Sequence, residues 1–369
     1  MQEYIKYPDH VRKQKLYQYL ADQPFIAILE PLSEKLTNED ITEVYYNLAR
    51  SFFYNSKHRG PLKFAYLLFG IYGMDRIEEE EPALWEDLIK VAQCEEFTYA
   101  FTNACVLGNC NANKALWRII GCTEGWGKVF AIEKVTCNDE AQELWLLQHG
   151  MELSVDYPPL ALSIMEVANI TRHLAAPELD ERTFLGAMNL ANAFLLTLDN
   201  SGEGVLEETV NTAKLKPLQL LQNLVRHAKK YADKPERILQ VMNLRIGIEN
   251  LQENERVAVI GYNEGQQLLA DCDSIIYAKE WHEYVAENLI QRDEVNYDLC
   301  DYACELDMDI WNPLYDFFCE HPYEYKLMPY LFSYNDEEYQ RLMLEVVERN
   351  LQLYTGEESA AGASAIFSS

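Results

Sequence analysis

Residues Ile41 to Phe53 read ITEVYYNLARSFF. Ile41, Val44, Tyr45, Leu48, Ala49, Phe52 and Phe53 fall at i, i+3, i+4, i+7, i+8, i+11 and i+12, which is one apolar stripe along a helix of about 3.6 residues per turn. Asn38-Glu39-Asp40 stands in front of it and supplies capping side chains. A helix this short cannot bury its stripe alone. The same pattern recurs from end to end of the chain, with almost no period-two alternation. Stacked helical hairpins bury such stripes against their neighbours. The sequence therefore predicts an all-α chain, an α-solenoid of degenerate HEAT/ARM-like helical hairpin repeats.

Proline marks the helix starts. Pro24, Pro61, Pro82, Pro159, Pro217, Pro235, Pro313 and Pro329 each precede an apolar-periodic stretch. The first helical N–H has no partner in any case, so proline is tolerated there. The expected helices lie near 9–21, 24–36, 39–55, 61–73, 82–94, 96–107, 111–120, 126–135, 139–149 and 159–174. They continue near 181–198, 203–213, 217–231, 235–251, 256–271, 274–291, 295–306, 313–319, 324–333 and 336–354. The spacing of about twenty residues per helix, or about forty per pair, suits hairpin repeats. Residues 1–355 are read as a single solenoid with sub-blocks 1–120, 121–255 and 256–355, and 356–369 (GEESAAGASAIFSS) as a flexible tail. No polar capping repeat precedes the tail, so the chain is expected to be a fragment of a longer product. Arg256–Tyr262 (RVAVIGY) is locally β-rich but has no partner strand, and Glu78–Glu81 reads as a solvated loop before Pro82.

Of the 369 residues, 49% are hydrophobic, which places the chain outside the disordered class. Sixty acidic against 31 basic side chains give a formal charge of −29. That field repels nucleic acid and favours a basic protein partner. No apolar run approaches the roughly twenty residues that span a bilayer, and the first residues lack the apolar core of a secretory signal. The expectation is a cytoplasmic protein without a membrane partner. The nine cysteines are odd in number and contain no CxxC pair. They fit a reducing compartment and core thiols, with no structural disulfide, no metal and no cofactor.

The one glycine-rich loop is Gly121-Cys122-Thr123-Glu124-Gly125-Trp126-Gly127-Lys128. A phosphate-binding loop needs glycine where Cys122 stands and a hydroxyl where Val129 stands. The reading is a structural turn made by Gly125, Trp126 and Gly127, in which glycine supplies a backbone conformation that a side chain would strain. GWGKVFAIEKV (Gly125–Val135), a short acidic linker and ELWLLQHGM (Glu143–Met151) resemble a turn-plus-helix-pair motif of a family of uncharacterised bacterial HEAT-like repeat proteins. The resemblance implies a bacterial helical-repeat protein that continues beyond this chain's last residue. Some members carry a limonene hydroxylase label, which no residue of this motif supports. Phe130 stands where the family pattern has histidine.

Cys300 and Cys304 share a helical face and could reach His282 or His321, but the pair lacks the usual two-residue spacing of zinc ligands and reads as core thiols. The seven histidines are scattered singly, none spaced with an acid as a base with its orienter, so no catalytic residue is assigned. Charge, by contrast, is segregated. Lys214 to Arg245 holds eight basic residues against Asp233 and Glu236, whereas Arg292 to Glu320 holds nine acidic residues and one basic. The acidic stretch does not match an EF-hand loop and is interleaved with aromatics. Asp298, Asp301, Glu305, Asp307, Asp309, Trp311, Tyr315 and Tyr323 are its candidate partner-binding residues, carboxylates to steer a basic segment and rings to anchor it. The expected function is a protein-interaction scaffold, with weak head-to-tail self-association through the basic stretch. The rival readings are an enzyme with a site near Gly125–Glu133, gathering Trp126, Lys128 and Glu133, and a DNA mimic.

Overall fold

The computed structural model describes residues 9–22, 43–200, 215–232, 234–253, 260–278, 280–292, 294–334 and 337–354. The helices expected near 24–36 and 203–213, the Asn38–Asp40 cap, most of RVAVIGY and the 356–369 tail lie outside those residues. Among the described residues there are twenty α-helices and one two-stranded hairpin, so the protein is all-α. It divides into two compact units, Met1–Leu220 and Leu221–Ser369.

The first unit contains α1 (His10–Asp22), α2 (Glu43–Asn55), α3 (Arg59–Tyr72), α4 (Met74–Glu80), α5 (Pro82–Ala92) and α6 (Glu95–Leu107). It continues with α7 (Asn113–Ile120), α8 (Trp126–Ile132), α9 (Glu140–His149), α10 (Leu160–Val167), α11 (Ile170–Ala175) and α12 (Glu181–Asn200). The α2 stripe is buried as its periodicity demands, through Tyr45, Leu48, Ala49, Phe52 and Phe53. The helix α3 buries an unbroken run from Phe64 to Phe69. It can do so because α2 covers one side and α6 another. Small residues set the α3–α6 separation: a Cβ on Gly70 would lie 2.7 Å from the Cα of Ala104.

Packing repeats along this unit. The helices α3, α6 and α8 form a row of neighbours, α2, α5 and α7 pack on them in turn, and α9 and α10 pack on α12. Polar links follow the same step. Arg50 pairs with Glu81 at 2.8 Å, Tyr54 donates to Asp87 at 2.8 Å, and Lys63 pairs with Glu96 at 3.0 Å. Arg118 grips Glu86 through two bonds of 2.9 Å, and Gln148 donates to Thr183 at 2.8 Å. These links join residues 31, 33, 33, 32 and 35 positions apart. The step between linked residues is thus thirty-odd positions.

Two expectations for this unit are corrected. Glu78–Glu80 belongs to α4, not to a loop, because Met74 and Ile77 bury one face of that short helix. The helix expected over 159–174 is broken at Asn169, whose φ of 48° is a left-handed conformation that asparagine tolerates.

The second unit begins within α13 (Pro217–Tyr231) and contains α14 (Pro235–Glu253), α15 (Tyr262–Ile276) and α16 (Glu280–Asn288). A hairpin of β1 (Ile290–Gln291) and β2 (Glu294–Val295) follows, pairing Ile290 with Val295. Then come α17 (Tyr297–Glu305), α18 (Trp311–Glu320), a 3-10 turn (Tyr325–Leu327), α19 (Met328–Phe332) and α20 (Glu337–Tyr354). The continuous helix expected over 274–291 is absent: α15 ends at Ile276, with Tyr277 as its C-cap, α16 begins at Glu280, and Ile290–Gln291 pair as a strand instead. The core of this unit rests on α14 packed against α15 and α17. All nine cysteines are free thiols. No helix of the described residues is long and apolar enough to cross a membrane.

Candidate functional site

The acidic stretch forms a defined face of the second unit. Asn296 caps α17 by accepting from the Leu299 amide at 3.3 Å. Leu299, Cys300, Tyr302 and Ala303 turn into the core, and the Tyr302 hydroxyl donates to the Ile276 carbonyl at 2.6 Å. That anchoring leaves Asp298, Asp301 and Glu305 exposed on the opposite side, with Asp307 and Asp309 exposed just beyond. The side chains of Asp298, Glu305 and Asp307 make no hydrogen bond or ion pair among the described residues. Asp301 accepts from the Tyr330 hydroxyl at 2.6 Å, and Asp309 caps the Trp311 amide at 3.1 Å.

The aromatics divide into core and surface. Trp311 is only 1% exposed. Its ring lies between Tyr315 at 4.5 Å and Tyr339 at 3.9 Å, both nearly parallel, and its indole N–H donates to the Leu331 carbonyl at 3.2 Å. It was expected to anchor a partner; it holds α18 to the elements that follow, and half-buried Tyr315 leans on it. Tyr323 and Tyr325 are 60% and 71% exposed. Between these rings and α17 sits a tyrosine–carboxylate cluster that the sequence reading did not single out as a site. The Tyr297 hydroxyl donates to Glu324 at 2.8 Å, its ring lies 6.2 Å from that of Tyr330, and the Lys326 ammonium stands 5.7 Å above it. Burial first, then the carboxylate each donates to, pushes both phenols well above the usual tyrosine range.

The basic stretch finds its partners elsewhere. Lys229 pairs with Asp271 at 3.0 Å, and Arg245 pairs with Asp273 at 2.6 Å and Glu249 at 2.8 Å. The carboxylates of α15 therefore take up cations that could have answered those of α17 and α18. Cys300 is buried and Cys304 exposed, while His321 stacks on Phe317 at 4.3 Å; the side chain of His282 lies outside the described residues. Among the described residues no three His, Cys, Asp or Glu side chains converge as metal ligands.

In the first unit, the Gly125–Gly127 turn is built around Glu95. Its carboxylate, in the first turn of α6, accepts from the amides of Glu124 at 2.9 Å and Gly125 at 2.5 Å. Gly127 follows in α8, where an added Cβ would meet Thr98 Oγ1 at 2.8 Å and Glu95 Cα at 3.0 Å. Gly125 has a φ of −111°, outside the left-handed region. The glycines are therefore required for space, not for a special backbone angle. Lys128 is 5% exposed and donates to the carbonyls of His149 at 2.8 Å and Glu152 at 2.9 Å, its ammonium 5.5 Å from the Trp145 ring. Burial lowers its pKa from the ordinary 10.5. Trp126 points the other way and is 46% exposed, while Glu133 is exposed in the turn after α8. Trp126, Lys128 and Glu133 thus do not converge on a common point.

No protein-family model, no curated protein and no solved structure matches this chain. The fold defines an all-α protein.

Proposed function

We propose that this protein is an interaction scaffold of degenerate HEAT/ARM-like helical hairpins that binds a basic protein or peptide on the acidic, aromatic face of its second unit. The repeated step of thirty-odd residues and the row made by α3, α6 and α8 support the repeat reading. One observation carries the binding reading. The side chains of Asp298, Glu305 and Asp307 are exposed and have no cation among the described residues, in the same unit as the exposed Tyr323 and Tyr325. Like charges left together on one face raise the local potential and steer a cation to it, and exposed tyrosines give its aliphatic stem and charge a surface to rest on. Lys326 above Tyr297 is an intramolecular example of that contact. Lys128, on which an enzyme at the Gly125–Glu133 turn would depend, is committed to two carbonyls.

The test uses labelled oligolysine and oligoarginine peptides titrated into the full chain at rising salt. Asp298→Asn, Glu305→Gln and Asp307→Asn together neutralise the face without removing a hydrogen bond the fold uses. Asparagine also tolerates the φ of 51° at position 307. A control chain carries Glu78→Gln, Glu79→Gln and Glu178→Gln, removing equal charge from the first unit. Affinity that falls with salt and falls further only in the first variant supports the proposal. Equal losses in both variants, or none in either, refute it.

A further inference from the structure

We propose that the open cavity between α3, α6 and α8 is a second, independent binding site, for a small, uncharged, flat ring compound that carries a hydrogen-bond acceptor. It encloses about 650 Å³, and its walls are Tyr99, Ala100, Trp126 and Phe130. That is within the roughly 300–1,000 Å³ of ordinary small-molecule sites, which are likewise apolar with a few polar groups at their edge.

Aromatic character comes from a contiguous row of rings. Tyr99 lies 4.8 Å from Phe130, Phe130 6.0 Å from Trp126, and Trp126 5.2 Å from Tyr157. Trp126 belongs to the most exposed class while Trp85, Trp281 and Trp311 are buried and Trp117 and Trp145 are half-buried. An indole held half out of the protein at the mouth of an apolar cavity offers a face to a planar guest, and stacked or tilted ring pairs contribute beyond the area they bury.

The rim decides the charge of that guest. Glu96 already holds Arg59 at 2.9 Å and Lys63 at 3.0 Å, and Glu95 is spent on the amides of the Gly125 turn. Every ion lining the cavity thus has its partner within the protein, and a charged ligand would lose water without gaining a free counter-ion. What remains unmatched is neutral. Neither the Trp126 indole N–H nor the Tyr99 hydroxyl has a hydrogen-bond partner among the described residues. Both can donate, so a ring with an acceptor atom fits better than a bare hydrocarbon.

Four probes of one shape test this: quinoline, naphthalene, N-methylquinolinium and 2-naphthoate, titrated into the full chain at neutral pH by calorimetry and tryptophan fluorescence. Quinoline is expected to bind one per chain, about three- to tenfold more tightly than naphthalene. Both ions should bind at least about tenfold more weakly than quinoline. Trp126→Ala should cost quinoline at least about tenfold, and leave oligolysine binding to the second unit unchanged. Tyr99→Phe, which keeps the ring, should bring quinoline close to naphthalene if its hydroxyl is the donor used, and Trp126→Phe should do so if the indole is. Saturable binding of an ion as tight as that of quinoline overturns the proposal, as does the absence of saturable binding by all four. If Trp126→Ala lowers the thermal midpoint, the two conservative variants decide: unchanged quinoline affinity in both overturns the acceptor assignment.

Discussion

Replacing Lys128 by methionine separates the two things its burial does. The methionine keeps a flexible stem of similar length, so packing against Trp145 survives. What goes is the ammonium that donates to the carbonyls of His149 and Glu152. Those carbonyls close the end of α9, where backbone acceptors have no intrahelical donor. Each bond from a charged donor is worth about 1.5–3 kcal/mol. Against this stands the cost of drying the ammonium, visible in the direction of its pKa. Two such bonds less that penalty leave about 2–4 kcal/mol lost in the variant. For a unit of this size that is about 5–12 °C in the thermal midpoint. The sign with pH is also fixed. The unfolded chain keeps this proton up to the ordinary 10.5, and the native chain releases it earlier. Between the two values the unfolded state binds more protons, so stability gained from Lys128 rises as pH climbs through the lowered native value and levels off above 10.5. The assay is urea unfolding followed by tryptophan fluorescence, run from neutral to alkaline pH on both chains. A variant as stable as the parent at neutral pH would show that the buried ammonium is a net burden and not a tie, and a gap that narrows as pH rises would show that the native chain holds this proton more tightly than the unfolded one, against the lowered value.

Gly127→Val should destabilise the first unit by about 1–3 kcal/mol, because its Cβ has Thr98 and the backbone of Glu95 to displace; an unchanged thermal midpoint would contradict the steric reading. Leu48→Ala should cost about 2–5 kcal/mol, since this buried leucine lies on the α2 face that packs against α3. Calorimetry of that variant giving less than about 1 kcal/mol would mean the site collapses around the lost carbons.

Much of the fold could be read from the residues because it depends on local pattern. The α2 stripe, Pro82 at the head of α5 and Pro217 and Pro235 at the heads of α13 and α14 state their helices within a dozen residues. Where the pattern failed, one residue overrode a neighbourhood. Asn169 adopts a left-handed angle that no apolar periodicity reports and splits a helix that the stripe would have continued, as the turn at Tyr277 splits the one expected over 274–291. The acidic face was legible as charge, but which rings flank it was not. Trp311 and Tyr323 stand twelve positions apart in equally aromatic surroundings, and only the closure of α18 against Tyr339 buries the first while the second stays in water. The cavity of the first unit was wholly hidden, since Tyr99 and Trp126 come together only through the packing of α6 on α8.

The short reach of the polar links in the first unit bears on how that unit is made. A ribosome delivers chain at about 5–20 residues per second. When α6 emerges, α3 is already outside, and when α8 emerges α6 is waiting. Arg50 waits only until Glu81 appears, and Glu86 only until Arg118. The loop to be closed stays near thirty-odd residues, so its entropic cost is much the same at each addition. The nascent chain can therefore accrete hairpin by hairpin, covering each apolar stripe within seconds of its synthesis and leaving only the newest helix open to a chaperone.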